Sequence, residues 1–360
     1  MAQIRIKDIA AKAGVSVGTV DRVLHGRGRV SKIKESKIKE AIKALNYQPN
    51  LAARTLATRV NYRLATIIPI SDDDDFWASQ KKGIERAKRY MKDFGFEIDS
   101  YEFNDQENGS LLKMTNKILL GNYDAIVIAP NMEEDSSAFL DICDQHHLPY
   151  VQINSFLDRG SQYSLGFIGQ DSFQSGLLGA KLLDISTHTP GTFLILHMER
   201  EASIGEHMIK KEKGFKSYFK EYSKHNIVVE HIPPDKNKAE IKNRVQTLMK
   251  QYPNISGVFV TTSRSHLIAR ALLDLDTQEI TIVGFDLIKE NIEVLSDYKR
   301  LFLINQNPAL QGYYGLMNFF DRFLKKKINP THKYLPLDVI TLENVVNYIH
   351  IEQRDRSPEN

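Results

Sequence analysis

The 360-residue chain has one cysteine, Cys143, and one tryptophan, Trp77. A lone thiol excludes an intramolecular disulfide and a thiolate metal cluster, and it fits a reducing compartment. No run of eighteen apolar residues occurs, and the first thirty residues hold no apolar signal core. The chain is therefore expected to be cytoplasmic, neither exported nor embedded in a membrane. Signatures of catalysis are also missing. There is no GxxxxGK phosphate loop and no GxSxG elbow, and GRGR at 26–29 lacks the strand before and helix after that a dinucleotide fingerprint requires. His146, His147 and His197 lack the partners of a zinc site and read as surface or loop histidines. No cofactor, no metal and no enzymatic activity are expected.

What is present begins at the N-terminus. Ile4 to Leu24, IRIKDIAAKAGVSVGTVDRVL, scans as two short helices around a tight turn at Gly14, the second opening at Ser16. Ile6, Ile9, Ala10 and Ala13 share one face of the first helix; Val17, Val20, Val23 and Leu24 share one face of the second. This is the layout of a helix-turn-helix, whose second helix enters the DNA major groove; the plainer alternative is a helical hairpin in a core. Charge separates the two. Residues 1–63 carry fourteen Lys and Arg against four Asp and Glu, a net +10, while the remainder carries −7 of the chain's +3. A basic head on a mildly acidic body suits a phosphate-binding module fused to something else. Ser31 is expected to cap a third helix through about Leu45, with Ile33, Ile38, Ala41, Ile42 and Leu45 buried. Asn50 then caps 51–57, LAARTLA, a run too short to be a stable helix alone in water. It reads as a hinge that orders only when something holds it.

These segments resemble the LacI/GalR family of bacterial transcription regulators. IRIKDIAAKAGVSVGTVDRVL, Val30-Ser31 and NYQPNLAARTLA at 46–57 carry the likeness, with IVGFD at 282–286 and INQNPALQG at 304–312 as weaker markers. The resemblance implies a DNA-binding set of Ser16, Val17, Gly18, Thr19, Arg22, Asn50, Ala53 and Leu56. Ser16 and Thr19 would bond phosphates, Arg22 would read guanine, and Leu56 would wedge into the minor groove where Ala53 lets two hinge helices approach. Two departures stand out. Asp21 replaces the family's usual Ser, and Val17-Gly18 favours apolar contact with thymine methyls.

From about Arg63 apolar runs alternate with helical stretches. Strands are expected at 64–70, 96–101, 125–129, 149–153, 192–196, 227–229, 257–260 and 280–283, with helices at 76–94 and 111–120 among those between them. Such alternation means parallel sheets covered on both faces, and about 300 residues exceed one compact core. The fold class is thus an all-α helix-turn-helix head, 1–49, a hinge and linker, 50–62, and an α/β body, 63–350, followed by a polar tail, 351–360. The resemblance implies two periplasmic-binding-protein-like lobes, about 63–160 with 292–326 and about 161–291 with 327–350. Ligands in such sheets sit at the carboxyl ends of strands. That rule, with the family pattern, gives an effector set of Asp75, Phe76, Trp77, Asn131, Asn154, Lys211, Thr262, Asp286 and Gln306. Lys211 stands where the family often has Arg, and Thr262 where it usually has Asn.

A flat aromatic such as Trp77 can cover a sugar's apolar face while Asp, Asn and Gln satisfy its hydroxyls. One carboxylate of the run Asp72–Asp75 is expected to face the ligand. The reading is a homodimeric, sugar-controlled regulator on palindromic operator DNA, with a purine as an alternative effector; acidic residues make a phosphorylated sugar less attractive, while Lys211 and Arg264 keep it open. An α/β enzyme with a DNA-targeting head and a purely architectural DNA binder are the rival classes.

Overall fold

The computed structural model describes residues 4–24, 28, 30–47, 61–71, 75–105, 107–187, 190–199, 205–220, 225–233, 237–327 and 331–354, with backbone alone from 350 onward. Two compact units divide the chain, Met1–Val60 and Asn61–Asn360.

The described residues of the first unit form three helices, α1 (Ile6–Ala13), α2 (Val17–Leu24) and α3 (Lys32–Ala44). Gly14 ends α1 at φ 65°, a left-handed conformation that costs glycine little, and Val15 N–H closes back on the Ala10 carbonyl at 3.0 Å. Ser16 Oγ accepts from Thr19 N–H at 3.2 Å and so caps α2. Ile9, Ala10, Ala13, Val20, Ile38 and Ala41 form the core. Two residues expected in it lie outside. Ile33 is 74% exposed because it sits about 140° around α3 from Ile38. Val17, in phase with Val20, is 51% exposed because it lies in the first turn of α2, beyond the reach of the core. Ser31 holds the N-cap position of α3, but its side chain makes no capping bond. Asn50, Ala53 and Leu56 lie outside the described residues, as do Asp72 to Asp74.

The second unit is built on two six-stranded sheets. The first contains β1 (Tyr62–Pro69), β2 (Phe96–Phe103), β3 (Ala125–Ile128), β4 (Tyr150–Ile153), β5 (Ser164–Gly169) and β11 (His332–Tyr334), ordered β2-β1-β3-β4-β5-β11. All its pairings are parallel. Its helices include α4 (Asp75–Lys92), α5 (Thr115–Leu120), α6 (Glu133–Gln145) and α12 (Pro308–Leu324). The second sheet contains β6 (Thr192–His197), β7 (Asn226–His231), β8 (Ile255–Val260), β9 (Thr281–Phe285), β10 (Leu301–Asn305) and β12 (Asp338–Ile340), ordered β7-β6-β8-β9-β10-β12. Only β12 runs antiparallel to its neighbour. Around it lie α7 (Ser172–Ser186), α8 (Glu206–Tyr218), α9 (Lys238–Gln251), α10 (Ser265–Leu273), α11 (Lys289–Leu295) and α13 (Val345–Arg354). Alternate residues of β6 feed two cores, Leu194 and Leu196 on one face, Phe193 and Ile195 on the other, as expected of a strand covered on both sides.

Sheet membership moves the lobe boundaries. β5 pairs with β4 and therefore belongs to the first lobe, whereas β10 pairs with β9 in the second. The chain crosses between lobes near 170, 306 and 336, not at the expected 160/161, 291/292 and 326/327. Strands β5, β10, β11 and β12 escaped the pattern reading: β5 is diluted by Gly166 and Gly169, and β11 and β12 have three residues each. Expected residue Ile70 falls beyond β1 and is 44% exposed. The stretch expected as one helix from 111 is a 3-10 turn at Leu112–Met114 running into α5.

The three crossings meet at one side chain. Gln170, 4% exposed, donates Nε2 to the Asn305 carbonyl at 2.6 Å and to the Pro336 carbonyl at 3.0 Å. A single amide on the first crossing therefore holds the second and the third.

Candidate functional site

Where strands of both sheets end, a cavity of about 520 Å³ opens between the lobes. That size lies within the ordinary range for small-molecule sites. Eight of the nine effector residues expected from sequence line it: Asp75, Phe76, Trp77, Asn131, Asn154, Lys211, Thr262 and Gln306. The ninth, Asp286, is 1% exposed and lies behind the wall, bonded to two lining residues.

Each wall has a local cause. Asp75 opens α4, where the helix N-terminus favours a carboxylate, and its Oδ2 accepts from Lys289 N–H of the other lobe at 2.9 Å. Phe76 and Trp77 follow in the first turn, 7% and 6% exposed, with rings edge to face at 4.9 Å. Trp77 is thus buried and lines the cavity. Asn131, after β3, donates Nδ2 to Asp105 at 2.7 Å. Asn154, after β4, adopts φ 68° and sends the next residue, Ser155, across to His207 Nδ1 at 3.0 Å. Two hydrogen bonds thus join the lobes over the cavity, Asp75 to Lys289 and Ser155 to His207.

The floor is a buried polar chain. Lys211 is 2% exposed, its Nζ donating to the Thr261 carbonyl at 3.0 Å and to Gln306 Oε1 at 3.4 Å while sitting 3.5 Å above the Phe285 ring. Asp286 accepts from Ser263 Oγ at 2.7 Å and from Gln306 Nε2 at 2.7 Å. Burial pushes the Lys211 ammonium down to about 8, opposed by the negative charge of Asp286. Burial raises the Asp286 carboxyl, against the pull of Lys211, Ser263 and Gln306. His207 is held down to about 3 by desolvation first and by Lys211 second, so its ring is neutral. Lys211 owes its position to close helix packing. A Cβ on Gly176 of α7 would come 2.0 Å from the Lys211 carbonyl oxygen, and one on Gly214 of α8 would come 2.0 Å from that of Phe173.

Several lining residues were not anticipated: Asp105, Glu199, His207, Thr261 and Glu290. The strand-end rule finds three of them, since Asp105 follows β2, Glu199 follows β6 and Thr261 follows β8. His207 had a weaker signal, one helical turn before Lys211 on the same face. Arg264, noted in the sequence as a phosphate candidate, lines the cavity too, but its Nη1 is engaged by Glu199 at 2.8 Å and the Met198 carbonyl at 3.0 Å. Thr262 Oγ1 is buried without a hydrogen-bond partner.

His197 is not a surface residue as expected; it is 1% exposed at the end of β6. It bonds Glu212 Oε2 at 2.8 Å and Thr261 Oγ1 at 2.9 Å. Carboxylate, imidazole and hydroxyl in a row imitate a hydrolase triad, yet Thr261 is fully buried and its hydroxyl also meets the Leu196 carbonyl. The arrangement braces the residue whose carbonyl holds Lys211. Among the described residues no cluster of His, Cys, Asp and Glu could hold a metal ion, and no helix is long and apolar enough to cross a membrane.

In the head, Ser16, Val17, Gly18 and Arg22 are exposed and Thr19 is half-buried, so one side of α2 is open. Ser16 Oγ and Thr19 Oγ1 lie 2.8 Å apart at its start. Residues 5–50 match the profile of bacterial regulatory proteins of the lacI family, and residues 64–327 match that of a periplasmic binding protein domain. The chain belongs to the LacI family. As a LacI-family protein it is a DNA-binding transcription regulator with a periplasmic-binding-protein-like body. It is 26% identical over 292 residues to the ribose operon repressor of Halalkalibacterium halodurans, covering 78% of this chain and 80% of that one. To the sucrose operon repressor of Lactococcus lactis subsp. lactis it is 24% identical over 297 residues, covering 79% and 83%. The body shares its fold with a solute binding protein from Agrobacterium vitis bound to alpha-D-tagatopyranose, at TM-score 0.69 and 22% identity over 81% of this chain and 98% of that one.

Proposed function

We propose that this LacI-family regulator binds a sugar in the interlobe cavity and that the sugar sets its affinity for operator DNA. The observation that carries the reading is the cavity: a buried aromatic pair, Phe76 and Trp77, opposes the polar floor of Lys211, Thr262 and Gln306, with Asp286 behind it. Sugars offer an apolar ring face and edge hydroxyls, and this pairing suits both. The names of the ribose and sucrose operon repressors point the same way.

Ser16 and Thr19 position the head on phosphates, Arg22 reads guanine, and Val17 meets thymine methyls. Asn50, Ala53 and Leu56 form the hinge that orders on the duplex, Leu56 entering the minor groove. Two chains pair with two-fold symmetry and present both heads to mirrored half-sites. The protein acts in the cytoplasm, without a cofactor and without turnover. Thermal-shift titration of the full chain with a sugar panel, followed by footprinting with and without the sugar that binds, tests the reading. A stabilising sugar that alters protection supports it; turnover of that sugar, or no protected site under any condition, contradicts it.

A further inference from the structure

The charges around the cavity are unevenly matched. Among the described residues four carboxylates line it, Asp75, Asp105, Glu199 and Glu290, against two cations, Lys211 and Arg264. Both cations are already engaged. Arg264 Nη1 is held by Glu199 and the Met198 carbonyl, and Lys211 Nζ by the Thr261 carbonyl and Gln306, with the Asp286 carboxylate one amide away. The acceptor-rich side faces the lobe junction, where Asp75 takes the Lys289 N–H and Glu290 is the next residue of α11. On the floor, the Thr262 hydroxyl oxygen is buried without a protein partner.

We infer that the cavity takes an uncharged or amine-bearing sugar and rejects the same sugar carrying phosphate or carboxylate. The inference rests on the sugar reading above and names its charge class. Carboxylates accept hydrogen bonds from hydroxyls and ammonium groups and cannot donate to a phosphate. A phosphate would enter a partly desolvated space among four carboxylates, where Coulomb repulsion is little screened. Arg264 already spends Nη1 on the half-buried Glu199 carboxylate, so a phosphate placed there would share the guanidinium with a competing negative charge. An uncharged ring disturbs neither pair.

The test is a titration of the full chain with matched sets: glucose, glucosamine, glucuronate and glucose 6-phosphate; the corresponding galactose set; and ribose with ribose 5-phosphate. Binding is read by calorimetry at constant ionic strength. At least one uncharged or amino sugar should bind, with its acidic or phosphorylated counterpart weaker by about 100-fold or more. In the variant Glu290→Lys that gap should narrow at least about tenfold, because one repulsive charge becomes attractive. An anionic member binding as tightly as its neutral parent, or a gap unmoved by Glu290→Lys, overturns the inference while leaving the sugar reading standing. Failure of every sugar to bind overturns the sugar reading, and this inference with it.

Discussion

Gln306 and Asp286 are joined twice: the Gln306 side chain donates Nε2 to Asp286 Oδ2 at 2.7 Å, and its backbone N–H reaches Oδ1 at 3.2 Å. This fixes the orientation of the amide, leaving Oε1 for Lys211. A buried acid and a buried base are therefore coupled through one neutral side chain. Gln306→Leu should leave Lys211 with the Thr261 carbonyl, and Asp286 with Ser263 as its remaining side-chain partner, and ligand affinity should fall at least tenfold in calorimetry while head-only DNA affinity is unchanged.

Stability should depend on pH through Lys211. Its folded value of about 8 lies below the ordinary 10.5, so the unfolded chain binds more protons between the two. Stability from this group therefore rises with pH across that window; the penalty of a buried ammonium, about 3 kcal/mol, is fully present below pH 8. Denaturant melts of the wild type and Lys211→Met from pH 7.5 to 10 should show the wild type gaining on the variant as pH rises. Parallel profiles would show that the ammonium is not desolvated in solution.

The chain's one tryptophan lies on the cavity wall, so any ligand-induced change in tryptophan fluorescence reports that wall. Titration with the cognate sugar should shift or quench the emission. Trp77→Phe should retain the fold and weaken binding severalfold through loss of ring-face area.

Gln170 should act as the pin of the crossings. Gln170→Leu leaves the Asn305 and Pro336 carbonyls without that donor, a loss of about 2 kcal/mol from unsatisfied buried acceptors. The Tm of the body should fall by several degrees, and the ligand-induced change in radius of gyration by small-angle scattering should grow or vanish relative to wild type.

In the head, Arg22→Ala should cost about 1–3 kcal/mol at one operator base pair and relax preference there, as read by competition with operator variants. Thr19→Ala should weaken all sequences alike, because a phosphate contact carries no base information.

Much of this was legible in the sequence. Periodicity located all three head helices and eight strands, because buried parallel strands write continuous Val and Ile runs. The strand-end rule brought Asn131, Asn154 and Thr262 to one cavity from loops far apart in the chain. Illegible were the features set by pairing partners. Whether Ser164–Gly169 joins the first or second sheet depends on β4, and no local pattern encodes that. Ile33 was misread because apolarity was noted without helical phase. His197 looked superficial because its partners, Glu212 and Thr261, come from distant segments.

The central claim is that one protein couples a sugar in the body to DNA on the head. Coupling of this kind is reciprocal. Operator affinity should be measured by anisotropy with and without saturating sugar, and sugar affinity by calorimetry with and without saturating operator. The account predicts equal ratios in the two experiments, on the order of 5- to 150-fold. A ratio of one in both, with sugar and operator each binding well, would contradict it.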